Sequence, residues 1–137
     1  MSTASPRDEA IINYLLNQRE FAWQTNENSK NECIFENLGN KDDLFPLSIW
    51  ILCNEYKIEN NKVLILSGIS MPILIDYPNE LSYFSTDKFT HEAPENGTLY
   101  GKSIKEIFPK NIQNKILNYD NYNNINAAFE NKVLNKE

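Results

Sequence analysis

The stretch SIWILCNEYKIENNKVLILSGISMPI, residues 48–73, decides how this chain folds. Two runs rich in β-branched and aromatic residues, 47–58 and 63–77, flank Glu59-Asn60-Asn61-Lys62. Asparagine tolerates the positive φ that a tight hairpin turn demands, so the pattern predicts an antiparallel hairpin. A two-residue loop at Asn60 and Asn61 sets its register: Ile58 opposite Val63, Tyr56 opposite Ile65, Asn54 opposite Ser67, Leu52 opposite Ile69, Trp50 opposite Met71. One face is then almost wholly apolar, and a slip of one residue would turn that whole set toward water. That face is expected to bury against a helix, which makes Ile65 a core residue whose truncation to alanine costs about 2–5 kcal/mol. The reverse face carries Cys53, Glu55 and Ser70 as a polar row, and there Glu55→Gln is expected to leave folding nearly intact. Gly68 marks a bulge or bend. Pro72 removes a ladder donor, so the strand beyond it runs at an edge or takes a new partner.

Upstream, SPRDEAIINYLLNQREFAW (residues 5–23) predicts a helix. Ser5 is an N-cap, Pro6 suits the first turn, and Asp8 and Glu9 complement the positive end of the helix dipole. Ile11, Ile12, Leu15, Leu16, Ala22 and Trp23 fall on one stripe, the expected partner of the hairpin's apolar face. ECIFENLGNKDDLFP (32–46) reads as a short strand or turn, and YFSTDKFTHE (83–92) as a further strand. SIKEIFPKNIQNKILN (103–118) is helical, with Ser103 and Glu106 at capping-box spacing and Pro109 able to open another turn. A polar linker over about residues 118–125 leads to a short helix carrying Ile125, Ala128, Phe129 and Val133, and to a frayed tail. The fold class is therefore α+β: one curved antiparallel sheet, its central hairpin at about 47–77, packed by an N-terminal helix and C-terminal helices. All 137 residues form a single domain, since a chain of this length builds one core.

Charge and composition narrow the function. A net charge of −6 opposes binding to a phosphate backbone, which needs clustered Lys and Arg. No run approaches the roughly 18 apolar residues of a membrane span. MSTASPRDEA has no apolar stretch behind Arg7, so a cytoplasmic location is expected, with Cys33 and Cys53 as reduced thiols. A dyad of Cys53 with His91, the single histidine, is the sharpest enzymatic idea, but no small-residue turn presents the thiol. No zinc spacing, calcium loop, phosphate cradle or nucleophile elbow is present, and the carboxylate pairs read as solvated surface. No catalytic residue, metal or cofactor is expected.

A small acidic domain without catalytic motifs suits a binding protein. The first reading is an inhibitor of the bacterial toxin-immunity kind, blocking a basic protein partner such as a nuclease toxin through an acidic face of Glu32, Glu36, Asp42 and Asp43. The second is a small-ligand or enzymatic pocket on the concave sheet face, built from Cys53, Glu55, Ser70 and His91, which requires a raised Glu55 pKa. The third is an accessory protein that pairs as a homodimer through its sheet, which requires an exposed apolar sheet surface.

Overall fold

The structure, a computed structural model, describes residues 5–78 and 85–136. Helix α1 (Pro6–Leu16) starts where its cap is written: Ser5 is extended, and its Oγ accepts a hydrogen bond from the Asp8 amide at 3.1 Å. It ends seven residues earlier than the apolar stripe suggests. The Asn17 and Gln18 amides bond three residues back, and the chain turns so that Phe21 still reaches the core at 2% exposure.

Four strands follow, β1 (Lys30–Asn37), β2 (Leu47–Glu59), β3 (Lys62–Asp76) and β4 (Thr90–Glu92). They form one antiparallel sheet in the order β1-β2-β3-β4, curled into a half-barrel. The expected strand at 83–92 is reduced to β4, preceded by a single 3₁₀ turn at Thr86–Lys88; Tyr83 and Phe84 lie outside the described residues. Asn60 and Asn61 have φ of 53° and 63°, as a two-residue hairpin loop with two left-handed positions requires.

The register agrees with expectation only near this loop. Ile58 faces Val63 and Tyr56 faces Ile65, but Glu55 then faces Ser67, leaving Leu66 as one extra residue on β3. Beyond this bulge every partner moves by one, so Asn54 faces Gly68, Leu52 faces Ser70 and Trp50 faces Pro72. Glycine is required at 68, because a Cβ there would lie 1.9 Å from Asn54 Oδ1 and 2.8 Å from the Cys53 carbonyl oxygen. β3 continues through Pro72 without changing partner.

Helices cover both faces of the sheet. Ile49, Ile51 and Cys53 of β2, with Ile73 and Ile75 of β3, pack under Ile11, Tyr14 and Leu15 of α1. Trp50, Leu52 and Tyr56 point the other way, into a second cluster built by α2 (Tyr100–Ile107), α3 (Lys110–Leu117) and α4 (Tyr122–Leu134). The expected pairing of the Trp50 face with α1 is thus reversed. All ten positions from Leu47 to Tyr56 are buried, the mark of a strand covered on both sides. Pro109 separates α2 from α3. Ser103 lies inside α2, its Oγ accepting from the Glu95 amide, and does not cap it. The polar linker spans only residues 118–121, because α4 begins at Tyr122. Among the described residues no helix is long and apolar enough to cross a membrane.

Cys33 and Cys53 are directly opposed on β1 and β2 and form a disulfide, correcting the reading of two reduced thiols. The bond closes a sequence separation of 20 residues and is buried beneath α1. Constraining the unfolded chain over a loop of that length gives about 3 kcal/mol. Urea unfolding with and without a strong reductant measures it directly. Equal midpoints would overturn this stabilisation, and free thiols titrating in the unfolded, unreduced protein would rule out the bond.

Candidate functional site

The four pocket candidates do not converge. Cys53 is consumed by the disulfide. Ser70, turned over by the Leu66 bulge, lies on the opposite face from Cys53, where its Oγ accepts the Trp50 indole N–H at 2.8 Å.

Glu55, 1% exposed, faces the polar loop between α1 and β1, and five donors hold its carboxylate. Oε2 accepts from the amides of Thr25 (2.6 Å) and Asn26 (3.1 Å) and from Ser29 Oγ (2.5 Å). Oε1 accepts from Thr25 Oγ1 (2.7 Å) and Ser67 Oγ (2.9 Å). Burial pushes this carboxyl up, but the bonds from Ser29, Thr25 and Ser67 outweigh it and hold the pKa down at about 2. A ligand-binding acid of the second reading would be raised, so this glutamate anchors a loop instead.

His91 enters an arrangement that no local pattern announces. Its Nδ1 shares a 2.5 Å hydrogen bond with the Tyr14 hydroxyl, and its Nε2 lies 2.9 Å from Glu20 Oε1. Neutral imidazole fits both contacts when Nε2–H donates to Glu20 and Nδ1 accepts from Tyr14. Glu20, His91 and Tyr14 have the shape of a proton relay, yet the phenol at its inner end is only 6% exposed. Phe89 packs against Tyr14, and Phe21 against His91. Burial and the Glu20 charge both raise the Tyr14 pKa, so the relay presents no activated nucleophile to solvent. It ties β4 to α1.

The four acids of the expected face are divided. Glu32, 2% exposed, is bound by Lys132 of α4, by Lys136 just beyond its C-terminus and by the Cys33 amide. Burial raises its pKa, and these partners more than reverse that. Glu36 accepts from Tyr119 Oη and Asn121 Nδ2, both at 2.9 Å. Burial and the Glu36 carboxylate together raise the Tyr119 pKa. Asp42 and Asp43 are exposed in the β1–β2 loop, where Asp43 accepts the Asn40 amide and the neighbouring Leu44 is 68% exposed. Among the described residues no three His, Cys, Asp or Glu side chains gather as a metal site.

The feature that sequence patterning missed is an edge. Along β1 the Lys132 ammonium donates to the Cys33 carbonyl at 3.0 Å, and the strand itself carries the charged Lys30, Glu32 and Glu36. β3 differs, because β4 pairs only with Leu74, Ile75 and Asp76. Among the described residues no strand pairs with residues 62–73 on the side away from β2. No charged residue lies between Lys62 and Asp76, and Leu64, Ile65 and Leu66 are 42%, 49% and 42% exposed. Natural sheets blunt such edges with charges, bulges or proline; here the Leu66 bulge and Pro72 are all that this strand offers. No protein-family model, no curated protein and no solved structure matches the chain, so a functional reading rests on this geometry.

Proposed function

We propose that the chain is a non-catalytic protein-binding domain that docks its partner by strand addition at the open edge of β3. The observation that carries this reading is an uncharged run of β3 that, among the described residues, has no strand on the side away from β2 and shows three consecutive exposed aliphatic side chains. In strand addition, main-chain hydrogen bonds supply affinity and alternating side chains supply selectivity. The internal bonding of Glu55, His91, Ser70 and Cys53 supports a role without chemistry at those groups. The buried disulfide favours an oxidising compartment over the cytoplasm.

The inhibitor reading draws on a different observation. Asp42 and Asp43 directly precede the exposed Leu44, so carboxylates that steer a basic partner, such as a nuclease toxin, adjoin an apolar anchor. Capture from native lysate with the tagged full chain separates the two readings. Edge docking predicts a partner that is lost with Leu66→Lys, is retained at high salt and is kept by Asp42→Lys/Asp43→Lys. The inhibitor reading predicts the reverse pattern, with release by salt. A partner kept by Leu66→Lys, in a variant whose circular dichroism matches the wild type, sinks the edge reading.

A further inference from the structure

Resting on the edge-docking reading, we infer that the strand added to β3 is β3 of a second copy of this chain, antiparallel across a two-fold axis. Charge is the first argument. The chain carries −6, so two copies repel wherever their carboxylates meet, but residues 63–75 carry no charge. This stretch is where like molecules can approach without that repulsion, and it offers a basic segment no carboxylate to select it.

The ends of the open run supply the second argument, because they differ in sign. Lys62 is exposed at one end; Asp76 and Glu92 are exposed at the other, where β4 stops with Glu92 opposite Leu74. An antiparallel copy carries its own Lys62 toward that end, so the two-fold axis brings each Lys62 to the other copy's Glu92. A parallel copy would bring lysine to lysine.

Length is the third argument. The slot in line with β4 spans residues 62–73, about 40 Å of strand, and a two-fold copy brings a run of the same length to fill it. The contact is isologous and closes on itself as a dimer. It joins two four-stranded sheets into one of eight strands, within the ordinary range. Leu64, Ile65 and Leu66 of each copy then lie beside the other's strand.

Sedimentation equilibrium of the full chain over a wide concentration range tests this. The wild type is expected to dimerise, and Leu66→Lys, which sets new charges along the shared edge, to abolish the dimer. Lys62→Glu and Glu92→Lys should each weaken it about tenfold, and the double variant should restore it. Amide exchange at residues 62–73 should slow as concentration rises in the wild type only. A chain that stays monomeric, but still loses a captured foreign protein on Leu66→Lys, overturns the second copy and leaves edge docking standing. A dimer indifferent to Leu66→Lys and to the charge exchange overturns the self-pairing, and if no captured partner responds to Leu66→Lys either, edge docking falls with it.

Discussion

Ile51→Ala is expected to destabilise the fold by about 2–5 kcal/mol, whereas Ile65→Ala, at protein concentrations where the chain is monomeric, costs less than about 1 kcal/mol. Ile51 is fully buried in β2, facing Phe35 on one side and Met71 on the other in register, with α1 above it. Removing its three carbons leaves a cavity between a helix and a central strand, and neither can move to fill it without disturbing both neighbouring strands. Ile65 is 49% exposed on the open edge, so its truncation removes little area from contact and leaves no enclosed void. Urea midpoints at unchanged m-value measure both. Equal costs, or a larger one at Ile65, would mean that the β3 edge is covered in solution and that the faces have been assigned wrongly.

This pair of residues shows what the sequence made legible. The hairpin turn, the Ser5 cap, the α+β class and most core positions of the C-terminal helices, Ile125, Phe129 and Val133 among them, are written in a few neighbouring residues and hold, whereas Ala128 is exposed. The faces of the hairpin are not local. Parity counted from the turn fails at the first bulge, and the extra Leu66 reverses every assignment beyond it on β3, taking Ser70 away from Cys53 and Glu55. Gly68 signalled an irregularity without fixing its direction. A better signal lay in β2: from Leu47 to Cys53 only Ser48 is polar, and so continuous an apolar run fits a strand covered on both faces better than one with a solvent side.

The remaining misses involve distant partners. Cys33 meets Cys53 only because β1 pairs with β2 in that register, and the sequence marked β1 too weakly to set one. Tyr14 and His91 are 77 residues apart and share no pattern that would join them. Glu32 and Glu36 looked like free surface charge because their partners, on α4, just beyond it and in the α3–α4 linker, lie far along the chain. An acid read in isolation is taken as solvated by default; one that meets Lys132 of α4 and Lys136 just past its end is not.

Glu55→Ala is expected to lower Tm by on the order of 15 °C, since it leaves donors of Thr25, Asn26, Ser29 and Ser67 without their acceptor. Glu55→Gln should do roughly half that damage. The glutamine oxygen can take the Oε2 position and keep the two backbone amides, which cannot turn. Its nitrogen then meets the Thr25 and Ser67 hydroxyls, which can rotate to accept. The sign with pH follows from the depressed pKa. The carboxyl titrates at about 2 in the folded protein against 4.5 for an unperturbed glutamate, so its stabilisation is complete above pH 4.5 and is lost as pH falls toward 2. Glu32, also depressed, adds loss of the same sign over the acid range. The wild type should therefore lose stability steeply below pH 4.5, and Glu55→Gln should show a shallower slope, with the Glu32 part remaining. Thermal melts at closely spaced pH values decide the matter: parallel wild-type and Gln curves would place the Glu55 carboxylate in solvent. A loop held by this glutamate, and not a ligand, then accounts for Glu55 and Ser67 in the middle of the hairpin.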